Sequence, residues 1–367
     1  MSIAVAGRRV VPAVALSLVL PLVACAPSGS AGAVGVLEML NASIADMDRD
    51  RFDEALDQSI PQSTRDMWWS NLAQLSEVDF AGTVDGWRVD WSLPGEQAAA
   101  THVVNLDIGC AGTSCRITRI EPVPSRPAPG WLVEPVDVTT VDGAVLIAGR
   151  GAIDVTAAAA TAAAAVDDSG MALLDTDSRA PMPVEVPATD SAYALVTGAP
   201  AAETRGLGAL TRRTGDAVRV VVNPAHAEQW SPAQQAMLLT HEAVHWRLAG
   251  HGTPTGGNTW VSEGLAEWLA LSRNADERAS SQTRAVQACR DSGGAPALPA
   301  DEDFRATDDA DALRGAYALS WAAVSELVAE SGPGAAGDLV ELLWTTPAGQ
   351  VDQVPDVLTR WCASNAP

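Results

Sequence analysis

Apolar side chains recur every three to four residues from 36 to 58 and again from about 64 to 75, a spacing that gathers them on one face of a helix. The period then shortens to two. Residues 86–91, 102–108 and 115–120 alternate apolar and polar side chains, as half-buried strands do. Helices followed by strands predict a small α+β roll over residues 36–124. The pair Trp68-Trp69 falls within the second helical stretch and is expected in the core of that roll.

A proline-rich stretch at 122–135 interrupts the pattern and predicts a linker over residues 125–139. Beyond it the pattern predicts a strand at 143–148, an alanine-dominated helix at 153–166, a strand near Val184 and a strand at 218–222. The last of these is either a sheet edge or an interior strand, and its sequence leaves both open. Ser231-Pro232-Ala233-Gln234 then marks a helix start with a capping box, and Gly250 marks its stop. Helical segments at 339–344 and 357–361 close the chain. The predicted class is α+β: the roll, then a mainly helical domain with a small sheet over residues 140–367.

Composition narrows the function. The 367-residue chain carries a net charge of −23 and contains no lysine, which argues against a nucleic-acid surface, since phosphate recognition needs clustered cations. Arg8 and Arg9, the apolar run at 10–23 and the small residues before Cys25 predict a secretory signal over residues 1–24. Leu22-Val23-Ala24-Cys25 resembles the lipobox of bacterial lipoproteins, which implies lipidation of Cys25 and anchoring to the outer face of the cell membrane. Residues 25–35, with Pro27-Ser28-Gly29-Ser30, are expected to form a flexible tether. Four cysteines remain, an even number suited to an oxidising compartment. Of the three possible connectivities, Cys110 with Cys115 across a short turn and Cys289 with Cys362 are the expected pairs.

The chemistry concentrates in residues 238–269. His241 and His245 stand four apart on one helical face and Glu242 lies beside them, an HExxH arrangement. Two neutral imidazoles in that geometry bind a metal ion, and the adjacent carboxylate takes a proton from the attacking water. Two residues compete to complete the site. His251 has metzincin spacing, but Leu248 replaces that pattern's glycine and no methionine follows Met237. The other is Glu263 in Trp260-Val261-Ser262-Glu263-Gly264-Leu265-Ala266-Glu267-Trp268, a second predicted helix in which Glu263 and Glu267 share a face.

This combination resembles the gluzincin branch of the HExxH metallopeptidases, whose third ligand is the glutamate of a segment W-L-x-E-G-x-A-[DE]-[WY]. It is especially similar to the peptidase-MA-like domains of actinobacterial lipoproteins. The resemblance covers residues 140–362 and implies a zincin-like fold, with His241, His245 and Glu263 as zinc ligands. It also implies Glu242 as general base and Glu267 as acceptor for a ligating histidine's N–H. The family places a tyrosine on a later helix to donate to the oxyanion. Tyr317, in Gly315-Ala316-Tyr317-Ala318-Leu319-Ser320-Trp321, resembles it; Tyr193 is the chain's other tyrosine. The order of elements in the roll resembles nuclear-transport-factor-like or cystatin-like modules. The expected function is that of a surface-anchored zinc metallopeptidase acting on peptide or protein substrates. The alternative is a non-catalytic surface binding lipoprotein that retains the scaffold.

Overall fold

A computed structural model describes residues 29–83, 86–169, 180–199, 207–249, 258–304, 309–331, 344, 346, 354 and 356–366. The signal segment, Cys25, Gly250, His251 and residues 339–343 lie outside the described residues.

Three helices, α1 (Gly29–Ala45), α2 (Arg49–Ala55) and α3 (Gln62–Leu72), pack on an antiparallel meander ordered β1-β2-β3-β4. Its strands are β1 (Glu77–Thr83), β2 (Gly86–Ser92), β3 (Ala100–Ala111) and β4 (Ser114–Pro122). Three differences from the sequence pattern have local causes. The helix expected over 36–58 is two helices, because Met47 adopts φ 54° and the Asp48 carboxylate then accepts the Arg51 N–H as a new N-cap. Helix α1 begins at Gly29, inside the expected tether, and its Gly32 abuts the Cys115 sulfur. Strand β1 carries exposed Glu77 in a segment with little apolar alternation, so its period is weak. Cys110 and Cys115 face each other across the β3–β4 hairpin and form the expected disulfide. Trp68 is buried in this core, as expected.

The proline-rich stretch is not a free linker. It holds α4 (Gly130–Val133) and β5 (Val136–Val141), and Trp131, Leu132 and Val136 are buried in the core of the roll. Asn71 of α3 fixes this segment. Its amide donates to the carbonyls of Trp131 (2.7 Å) and Glu134 (2.8 Å), and its side-chain oxygen accepts the Val136 N–H (3.0 Å). A buried asparagine with donor and acceptor both used specifies one docking geometry.

Strand β5 opens a five-stranded sheet ordered β5-β6-β7-β9-β8, with β6 (Ala144–Gly149), β7 (Met182–Val186), β8 (Ala209–Thr214) and β9 (Ala217–Val222). Strands β6, β7 and β9 are parallel, and β5 and β8 flank them antiparallel. Strand β9 is therefore interior, and the edge beside the HExxH helix is β8. Between strands run α5 (Thr156–Asp168), α6 (Asp190–Thr197) and, after β9, the single turn α7 (Pro224–Ala227). Then come α8 (Pro232–Leu248), α9 (Thr259–Ser272), α10 (Ala275–Asp291), α11 (Ala310–Ser331) and α12 (Val357–Asn365). The Cys289–Cys362 disulfide ties α10 to α12, as expected. The class is α+β, with a larger sheet than the sequence pattern indicates.

The sheet is buried on both faces. Ala144, Leu146, Val184, Val220 and Val222 face the core shared with α5, α8 and α9, while Val145, Ile147 and Ala217 join the core of the roll. Strand alternation thus gives one sheet two cores. Arg219 joins the two parts: its guanidinium donates to Glu96 of the β2–β3 loop (2.7 and 2.8 Å) and to Glu185 of β7 (3.0 Å), and it stacks 3.7 Å over the Trp91 ring. Removing one partner from such a buried ion set costs about 3–5 kcal/mol. Among the described residues no helix is long and apolar enough to cross a membrane.

Candidate metal centre

Helix α8 begins as its sequence predicts. The Ser231 hydroxyl accepts the Gln234 N–H and the Gln234 side chain accepts the Ser231 N–H, with Pro232 in the first turn. Leu239, Ala243, Val244 and Leu248 bury one face of α8, which turns His241 and His245 toward α9. Helix α9 starts without a side-chain cap of its own. Asn258 occupies its N-cap but donates its amide to the Thr346 carbonyl, and Asp301 from the short 3-10 turn Asp301–Phe304 accepts the Thr259 N–H (3.2 Å). Gly264 sets how closely α9 meets α11. A Cβ there would lie 2.5 Å from the Ser320 carbonyl oxygen, so only glycine permits this crossing.

These helices bring the ligand-type atoms together. His241 Nε2 and His245 Nε2 are 3.0 Å apart, and Glu263 Oε2 lies 3.3 Å from the first and 3.2 Å from the second. The other nitrogen of His241, Nδ1, is 3.3 Å from Glu267 Oε1. Glu267 thus accepts the N–H that leaves Nε2 of His241 pointing at the shared centre. The remaining sequence-predicted residues converge on the same place. Tyr317 of α11 sets its ring edge-on to His241 with centroids 5.9 Å apart, and Phe304 supports it from behind. Glu242 is buried and lines the same cleft as His241 and Tyr317.

Charge is balanced inside the cluster. Burial alone would raise the Glu263 carboxyl, but the charge of His245 and hydrogen bonds from both imidazoles outweigh it and hold the group far below the ordinary carboxylate range. Burial likewise opposes a proton on His241, and its bonds to Glu263 and Glu267 overcome that, holding its pKa well above the ordinary value. Burial, reinforced by the nearby carboxylates of Glu263, Glu242 and Glu267, raises the Tyr317 phenol well above its usual range, so it stays a hydrogen-bond donor.

One residue that touches the site is missing from the sequence pattern. Thr211 of the edge strand β8 places its hydroxyl 2.7 Å from Glu242 Oε2 and 3.0 Å from the Glu242 carbonyl oxygen. Its signal was available in a weaker form: Ala209–Thr214 and Ala217–Val222 flank Gly215-Asp216, a two-residue hairpin turn ahead of the HExxH helix. Tyr193, by contrast, is buried in a small cluster with Val196 and Val221. His251 lies outside the described residues.

His241, His245 and Glu263 each offer one ligand atom, and the three atoms lie within 4.8 Å of one another. Two imidazole nitrogens and one carboxylate oxygen form a donor set suited to a divalent transition metal, so the residues fit such an ion. Comparisons with protein-family models, with curated proteins and with solved structures give no match.

Proposed function

We propose that this chain is a zinc-dependent peptidase in which His241, His245 and Glu263 hold the metal. The observation that carries the reading is the convergence of His241 Nε2, His245 Nε2 and Glu263 Oε2 within 3.3 Å contacts, with Glu242 lining the same cleft as His241. A zinc ion bound there supplies Lewis acidity toward water and toward the scissile carbonyl. The protein supplies the proton handling. Glu242 accepts the proton of the attacking water and passes it to the leaving amine. Thr211 donates to Glu242 Oε2 and holds the carboxylate in place. Tyr317, kept protonated, donates to the carbonyl oxygen as negative charge develops. Glu267 fixes the tautomer and orientation of His241. Strand β8, the edge of the five-stranded sheet, gives an extended peptide a backbone to pair with in front of α8.

We place the protein outside the cytoplasm, anchored through a lipid on Cys25. The lipobox-like sequence at 22–25 and the two disulfides support that placement. The test is Glu242→Gln in zinc-loaded protein. Peptide hydrolysis should fall about 10²- to 10⁴-fold with zinc content unchanged; hydrolysis at the wild-type rate would refute the mechanism.

A further inference from the structure

The roll is joined to the rest of the molecule at one end only of its meander. Strands β1 and β3 start, and β2 and β4 finish, at that end. There Ala100 bridges to Gly215, Glu96 pairs with Arg219, and Gly95 packs on Pro181. Gln74, just ahead of β1, donates to the Val136 carbonyl and accepts the Val138 N–H. The β3–β4 hairpin points the other way. Because β2 pairs with β3 only as far as Val104, the hairpin from residue 105 onward projects beyond the β1–β2 pair. The 12 residues of β3 put its two ends about 35 Å apart. The metal centre lies past the joined end, since α8 and α9 cover the face of the five-stranded sheet turned away from the roll.

Helix α1 begins at the free end. Gly32 packs on Cys115 so closely that a Cβ there would collide with the sulfur, while Asn41 donates its amide to the Phe80 carbonyl (3.0 Å) and accepts the Phe80 N–H (2.9 Å). The helix is thereby laid along the roll with its first turns at the hairpin tip. Only Ala26, Pro27 and Ser28 separate Gly29 from Cys25, and those four residue steps span at most about 14 Å. A lipid on Cys25 therefore brings the hairpin tip to the bilayer. The surface there suits that neighbour: residues 29–37 and 108–115 contain no charged side chain, and Val34 is 55% exposed. A chain of net charge −23 meets least repulsion from an anionic bilayer through such a surface.

We infer that the roll is a standoff. The start of α1 and the β3–β4 hairpin tip rest on the lipid surface, and the length of β3 holds the metal centre on the order of 35 Å from it. The substrate class that follows is peptide segments standing clear of the bilayer, not bonds close to the headgroups. The standoff rests on the lipid anchor proposed above, and its substrate class on the peptidase reading.

The test uses the full-length lipidated protein in vesicles of phosphatidylglycerol and phosphatidylethanolamine. A dye is attached to Glu38→Cys on α1 or to Gln282→Cys on α10, both exposed positions, and energy transfer to a headgroup-labelled lipid is measured. Transfer should be strong from position 38 and near background from position 282. A flexible Gly-Ser insertion of about 20 residues between Ser28 and Gly29 should weaken transfer from position 38. Wild type should cleave a lipid-linked peptide on a spacer of about 40 Å reach at least about tenfold faster than the same peptide on a spacer of about 10 Å, and the insertion should remove the difference. Equal transfer from the two positions, or equal cleavage on both spacers by wild type, would overturn the standoff and leave the anchor standing. Protein recovered free of the vesicles would overturn the anchor and the standoff together. The expected transfer pattern with no cleavage of any peptide would uphold the standoff and overturn the peptidase reading.

Discussion

His102 and His241 are both buried histidines, one in each part of the molecule, and their surroundings push them in opposite directions. In the roll, His102 stacks on Trp91 and accepts the indole N–H at 3.1 Å. Burial holds its pKa well below the ordinary value, with the positive charges of Arg219 and Arg212 adding to the effect. Near α9, His241 is flanked by Glu263 and Glu267, and its pKa is held well above the ordinary value despite burial. Buried histidine alone therefore carries no chemistry. A neutral imidazole with one apolar neighbour and one donor is a satisfied core group, whereas a pair of imidazoles aimed at a shared carboxylate oxygen is a donor set that could hold a cation.

The contrast predicts that substitutions around His241 change turnover and leave stability largely intact, and that substitution of His102 does the opposite. The largest effect in this set is expected for Tyr317→Phe, which should lower kcat about 10²- to 10³-fold through loss of one oxyanion donor. Metal content and Tm should stay near wild type, and a large fall in Tm would mean that the ring serves only the core. Next comes Thr211→Val, which removes the hydroxyl from Glu242 Oε2 and should lower kcat about 10- to 100-fold with KM unchanged. Thr211→Ser should restore the rate, and a serine variant as slow as valine would assign Thr211 to packing.

The smallest effect concerns His102. Its folded pKa lies below the unfolded value of about 6.5, so below that pH the unfolded chain binds a proton that the folded chain refuses. Stability therefore rises with pH in this window and is lost as pH falls through it. Replacing His102 by Asn should flatten the dependence of Tm on pH between about 7 and 5, at unchanged turnover near neutrality. An unaltered slope would show that other groups control the acid limb.

Much of this arrangement was legible in the sequence, and the reasons are local. The capping box at Ser231 and Gln234 and the four-residue spacings of His241 with His245 and of Glu263 with Glu267 are encoded within single helices, where sequence distance fixes spatial direction. The disulfide of the β3–β4 hairpin is also local. What escaped the pattern depends on tertiary contacts. Strand β8 reads as polar because it carries Arg212 and Arg213, yet Arg212 donates to the Val196 carbonyl beside the small Tyr193 cluster and Arg213 to the Ala249 carbonyl at the end of α8. Thr211 gains its role only because that strand is the sheet edge lying against α8. The supposed linker became structure because Asn71, more than fifty residues earlier, satisfies its backbone. Gly264, one letter within α9, is explained only by the Ser320 carbonyl of α11.

The most direct measurement of the central claim is metal content by mass spectrometry on purified protein, wild type beside Glu263→Ala. The account predicts about one zinc ion per wild-type chain and its loss in the variant. Zinc retained without Glu263, which would transfer the third position to His251, or no zinc in wild type, would contradict it.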